Sequence, residues 1–387
     1  TAGLISGTGS ACGSGVGQTF EVDSSQWISA TTTGTYGINA NAQGSTYGFG
    51  IGGQLLAYAS STNGATIFGL GAGGQNATTS ATLQYLTAVG YQALNKNTTG
   101  TKNTAVGYQA LNKNTNENNN TALGYQSLFA NTASNNTALG YQTLYSNTTG
   151  ALNSALGYQT LYSNTTGANN NALGYQALYS NTTGTKNTAL GYQSLYLNTT
   201  TSYNTAIGYQ SLYNNTGSDN TALGYWSLVD NTTGATNTAI GPYSLRFNTT
   251  GASSTAIGGY ALFKNTSGSS SVAVGDGALF ANTIGATNTA IGSLAGLTNT
   301  TGSNNTFLGD HSDASIDYAT SSTAIGSHAI IGVSYGMALG GDTNSSYGVT
   351  VGIGTSTPFW KLQIASSTIP QLALSDPTAG TNLKHWV

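Results

Sequence analysis

The most regular hydrophobic feature of this chain is a short alternating pattern that returns on a fixed beat. The glycine of a Thr-Ala-(Leu/Ile/Val)-Gly motif falls at Gly90, Gly107, Gly124, Gly140, Gly157, Gly174, Gly191, Gly208, Gly224, Gly241, Gly258, Gly275, Gly292, Gly309 and Gly326. Every step is 17 residues except two of 16. An aliphatic residue precedes the glycine, as at Leu123, Leu156 and Ile207, and a tyrosine follows it, as at Tyr108, Tyr158 and Tyr192. A leucine stands four residues after the glycine (Leu94, Leu161, Leu195) and an asparagine seven after it (Asn147, Asn181, Asn231). That asparagine usually opens an Asn-Thr-Thr-Gly run. Repetition at so short a period means one structural unit stacked on copies of itself.

A unit of 17 residues is too short for two helices, which need more than about 30 residues, and it suits one coil of a β-solenoid. The predicted fold is all-β: a parallel β-solenoid, or β-roll, of 17-residue coils. In Thr188-Ala189-Leu190-Gly191-Tyr192, strand alternation puts Thr, Leu and Tyr on one face and Ala and Gly on the other. Asn-Thr-Thr-Gly is read as the corner, with Gly184 and Gly234 expected to supply a left-handed φ. The stretch after the tyrosine is more ambiguous, because Tyr192, Leu195 and Tyr196 also have the spacing of a single helical turn. A helix about 10 Å wide does not stack at a strand spacing of about 4.8 Å, so a second short strand or a tight turn is expected.

Composition fits a stack of like residues. Only 5% of the residues are charged, while 54 of 387 are Gly and 24 are Tyr. Columns of uncharged Asn, Thr, Gln and Tyr tolerate their own kind as neighbours, whereas like charges repel. The 38% hydrophobic content separates the chain from disordered polar sequences. A net charge of −3 gives no electrostatic attraction for nucleic acid or anionic lipid. No apolar run reaches membrane-spanning length, and the lone Cys12 allows no disulfide within one chain. The start at Thr1 and the end at Val387 read as those of a trimmed product. Each coil has few apolar side chains for the backbone it must order. Partner chains are therefore expected to complete the burial, with the Tyr and Gln columns turned toward them and the smooth Ala/Gly face allowing close approach.

The unit Asn204-Thr205-Ala206-Ile207-Gly208, repeated at Asn237-Thr238-Ala239-Ile240-Gly241, resembles the head repeat of trimeric autotransporter (YadA-like) adhesins and repeats of phage tail-fibre-like proteins. The resemblance covers about residues 85–355. It implies a parallel β-roll of three chains around one axis, although the family's unit is nearer 14 residues. Val351-Gly352-Ile353-Gly354-Thr355-Ser356-Thr357-Pro358, followed by Lys361-Leu362-Gln363-Ile364, resembles the junction before C-terminal modules of tail-fibre-like proteins.

Three regions follow: residues 1–83 as an N-terminal β cap or joining module, 84–330 as the repeat shaft, and 331–387 as a C-terminal junction. In the first, Gln18-Thr19-Phe20-Glu21-Val22 reads as a short strand. Catalytic groupings are wanting, since the 11 acidic residues are spread singly and no nucleophile elbow or phosphate loop is framed. No cofactor is expected. The densest acidic group is Asp310, Asp313 and Asp317, read as a solvated loop. His311 and His328 stand 17 apart in the column otherwise filled by Gln92 through Gln210. With that column facing a three-fold axis, each layer would offer three imidazoles to a transition metal. Asn-x-Ser/Thr sequons recur at Asn97, Asn147, Asn164, Asn181, Asn198, Asn231, Asn248, Asn265 and Asn299. Turn formation explains them, and as exposed tips they would also accept glycans.

The expected function is that of a non-enzymatic structural fibre or adhesin shaft, extracellular at a microbial cell surface. Its partners are expected to be itself, as a homotrimer able to join end to end, and a surface glycan or protein receptor. The alternative is a virion tail-fibre shaft whose receptor-binding tip lies outside this chain. Ice binding wants Thr-x-Thr pairs along a strand, and here Thr gathers in corners.

Overall fold

The computed structural model describes residues 64–74 and 85–341, together with the strand backbones Ser29–Ala30, Ile38–Ala42, Thr46–Ile51, Gln54–Ser60, Val351–Ile353 and Leu362–Ile364. The strand expected at residues 18–22 lies outside the described residues, as does most of the 354–361 junction.

Each repeat contributes one three-residue strand, the Thr-Ala-aliphatic tripeptide, and consecutive copies pair in parallel and in register. Thr188–Leu190 pairs with Thr205–Ile207 so that Thr188 faces Thr205, Ala189 faces Ala206 and Leu190 faces Ile207. The same pairing runs from Thr87–Val89 to Met337–Leu339, with a 16-residue step absorbed wherever a coil is one residue shorter. The chain is therefore a parallel β-solenoid, and among the described residues it has no helix. The stack begins at Ala65–Phe68, where Thr66 faces Thr87. Before it, Ile38–Ala42, Thr46–Ile51 and Gln54–Ser60 form an antiparallel meander that joins Ala65–Phe68 and covers the edge of the first coil. Val351–Ile353 and Leu362–Ile364 make a separate parallel pair.

Beyond the strand the coil is a run of turns whose backbone bonds go alternately to the coil before and the coil after. In the coil of Gly174, the N–H groups of Gly174 and Gln176 donate backward to Leu156 and Tyr158, both at 2.9 Å. Those of Leu178, Ser180 and Thr182 donate forward to Ser194, Tyr196 and Thr199 at 2.8–3.1 Å. The segment after the tyrosine is thus a tight turn, one of the two expected forms. Its curvature comes from left-handed residues: Gln176 and Leu178 both have φ of 52°.

The motif glycine is required twice over. Gly191 has φ 132°, and a Cβ placed there would lie 2.4 Å from the carbonyl oxygen of Gly208 in the next coil. The corner glycines behave differently from expectation. Gly184 and Gly234 do not take a left-handed φ; a Cβ on Gly184 would instead meet the side-chain oxygen of Asn181 and the carbonyl of Thr201, both at 2.4 Å. Close packing around a buried amide, not turn conformation, selects glycine in that column.

The interior is narrow. Its apolar content per coil is the strand alanine, a small residue three after the glycine, and the leucine four after it, as in Ala189 and Leu195 with Ser194 between the two columns. The expected Ala/Gly face therefore lines the inside, and the close approach it permits is between successive coils of one chain. Thr and the aliphatic residue of the strand face outward. One coil departs from the pattern and compensates. Gly296 takes the leucine place, and Phe307 takes the alanine place of the next strand, fully buried, with its ring where a Gly296 side chain would go.

Candidate functional site

The expected corner asparagines are buried. Asn147, Asn164, Asn181, Asn198 and Asn231 have no exposed surface, and the same holds for Asn97, Asn248, Asn265 and Asn299. The sequons are accordingly not exposed tips, and a glycan has no access to these amides in the folded coil. The physical reason is hydrogen-bonding capacity, since each amide is satisfied on both sides. Asn164 Nδ2 donates to Asn147 Oδ1 at 2.7 Å and to the Gly167 carbonyl at 2.9 Å. Asn181 Nδ2 then donates to Asn164 Oδ1 at 2.7 Å.

A second buried amide column was not singled out from the sequence. It is the asparagine just before the strand, as at Asn153, Asn170, Asn187 and Asn204. Asn170 donates its backbone N–H to Asn153 Oδ1 at 3.0 Å and its side-chain N–H to the Gly184 carbonyl at 2.9 Å. The signal was its constancy beside the strand, where a merely solvated residue would vary. Among the described residues, no buried side-chain nitrogen or oxygen lacks a partner.

Outside, the columns are polar, aromatic and aliphatic in turn. The half-buried glutamines form a chain of amide bonds from Gln109 to Gln92 at 2.8 Å through Gln210 to Gln193 at 2.9 Å. Trp226 closes it, its indole N–H donating to Gln210 Oε1 at 2.8 Å. Tyr108, Tyr158 and Tyr192 belong to a column from Tyr91 to Tyr225 with ring centroids 5.0–5.3 Å apart and planes within 4–15°. A second column, from Phe129 through Tyr145 to Tyr213, stacks at 5.0–5.2 Å. Ring faces are consumed within each column, so the outside meets ring edges and hydroxyls. Burial, and then repulsion between neighbouring phenolates, raises the pKa of Tyr162, Tyr179 and Tyr196 above that of a free phenol.

Beside the tyrosines runs the outward aliphatic column. Leu123, Leu156, Leu173, Leu190 and Leu223 leave 40–46% of their surface in water. Thr137, Ser154 and Thr188 form the far wall of an open groove whose floor is strand alanine and whose near wall is Leu139, Leu156 and Leu173.

The acidic group at 310–317 divides. Asp313 is buried in the leucine column, its carboxylate accepting the N–H groups of Thr298 at 3.0 Å and Ala314 at 2.8 Å, and burial raises its pKa. Asp317 accepts the Thr300 hydroxyl. Asp310 instead sits against His311, and His311 stacks on His328 with ring centroids 5.0 Å apart. The two histidines thus meet within a single chain. The other ion pair is Arg246 with Asp230, the guanidinium also lying over Trp226.

No family model matches the chain, and no curated protein aligns with it significantly.

Proposed function

We propose that this chain is the shaft of a structural, non-catalytic fibre at a microbial surface, which assembles with further copies of itself along the length of the rod. The observation that carries this reading is the unbroken outward column of Leu, Ile and Val beside the tyrosines. It runs in register from Val89 to Leu339 through the parallel pairings. It exposes on the order of 1,000 Å² of apolar surface, whereas the largest apolar patch of a typical monomer covers about 300–600 Å². Such an area meets the requirement of a stable interface. A partner of the same sequence has the same rise per coil, so aliphatic and Tyr columns on two rods match without adjustment. Three copies, the arrangement implied by the adhesin-head resemblance, would enclose the strip on all sides. The non-catalytic reading draws support from the scattered carboxylates and from buried polar groups that are all engaged in holding coils together.

Sedimentation of the purified chain tests the assembly. An oligomer is expected at micromolar concentration, and Leu173→Lys with Leu190→Lys should shift it to monomer with an unchanged β-type circular dichroism spectrum, because neither side chain enters the core. A wild-type chain that stays monomeric at about 100 μM, where even a weak interface of this size is populated, would refute the proposal. Electron micrographs showing rods would then separate a fibre from a compact oligomer.

A further inference from the structure

His311 and His328 take successive places in the column held by glutamine from Gln92 to Gln210. Their rings are stacked at 5.0 Å with 8° between planes. Asp310 Oδ2 lies 2.9 Å from His311 Nδ1, and Ser327 Oγ lies 2.8 Å from His328 Nδ1. One ligand atom from each of Asp310, His311 and His328 falls within 4.8 Å of the other two. Among the described residues, no other trio of His, Cys, Asp or Glu side chains comes so close.

We propose that Asp310, His311 and His328 form a surface site for a divalent transition-metal ion of the zinc, nickel and copper group, built within one chain across two neighbouring coils. Two imidazoles and a carboxylate are the donor types these ions take, and water completes the coordination. The site is a product of the stacking. His311 and His328 are 17 residues apart, and only coil-on-coil registration brings them together. The backbone on both sides is fixed, with His311 N–H on the Ser293 carbonyl at 2.9 Å and His328 N–H on the Asp310 carbonyl at 2.8 Å. Donor atoms in a tetrahedral site with bonds of about 2.0–2.1 Å lie about 3.3 Å apart. The side chains must therefore close by roughly 1.5 Å from the 4.8 Å span, which χ rotation achieves because Asp310 and His311 are exposed. Closing trades the Asp310–His311 contact for bonds to the metal, which sets the affinity in the micromolar range, not the nanomolar. The site is complete in one chain, so it stands whether or not the rods assemble.

Calorimetric titration of the full chain with Zn²⁺ near neutral pH tests the site, using wild type, His311→Gln, His328→Gln and Asp310→Asn. Glutamine is the residue this column carries elsewhere, so the Gln variants retain the ladder, and circular dichroism checks that they do. One Zn²⁺ per chain is expected, with affinity at least about ten-fold weaker in each variant. Absence of saturable binding in the wild type, or wild-type affinity in either folded Gln variant, overturns the proposal.

Discussion

At the scale of single residues, asparagine does in this protein what leucine does in most cores. Asn181 lies at 0% exposure, donates to Asn164 and to the Gly184 carbonyl, and accepts from Asn198 at 3.2 Å. Asn181→Ala removes all three bonds and strands groups in two coils with no water to receive them. Each such orphan costs about 1–3 kcal/mol, so a loss of at least about 3 kcal/mol is expected, measured as a lower denaturant midpoint with β-structure intact elsewhere. The tyrosines make a prediction of their own. Folded Tyr162, Tyr179 and Tyr196 hold their protons more tightly than the unfolded chain does, because burial and then neighbouring phenolates disfavour ionisation. Both states are protonated at neutral pH, so nothing changes there. Above about pH 10 the unfolded chain ionises first, and stability falls as pH climbs through the folded value. A melting temperature that is flat to that point and then declines, with phenolate absorbance rising later than in free tyrosine, is the expected result.

At the scale of the coil, three backbone sites take a left-handed φ, and most are not glycine. Two of them, the Gln and Leu columns, lie in the turn after the tyrosine. The third lies just before the buried asparagine, where Asn135, Leu152, Asn169 and Lys186 have φ of 56–63°. Asparagine adopts this conformation more readily than other L residues. Leu152 is more than half exposed, so it has little packing to lose. Leu152→Asn should therefore stabilise the fold, by about 1 kcal/mol, readable as a higher thermal midpoint.

The coil also shows what was legible beforehand. The 17-residue beat, the parallel stack and the like-on-like columns follow from the spacing of Gly107, Gly157, Gly191 and Gly241. The inward face does not follow. Hydrophobicity would place Leu190 and Tyr192 inside, but a coil this short has room for Ala189, one leucine and amides that bond to their own kind. Volume, not polarity, decides the sidedness. That is why the sequon asparagines were taken for tips, and why Gly184 was assigned a turn conformation it does not adopt. The proximity of Asp310 to the histidines depends on the turn that carries them, which strand periodicity does not describe.

At the scale of the whole molecule, each coil touches only its two neighbours, so stability is a sum of adjacent interfaces. The meander at Gln54–Ser60 and Ala65–Phe68 closes one edge. The lateral face from Val89 to Leu339 stays apolar along its length, and the same uniformity that builds the rod makes every level of that face equivalent to the next.

The forward and backward bonds described for the coil of Gly174 have a mechanical corollary. Under tension from its ends, the rod gives way one layer at a time, because no contact spans more than a step. A stacked layer occupies about 4.8 Å of rod, yet its 17 residues reach on the order of 55–60 Å when drawn straight. Each released turn therefore lengthens the thread roughly twelve-fold locally while the remainder stays intact. Strung between two anchors, such a molecule is a shock absorber that yields in small, repeatable increments.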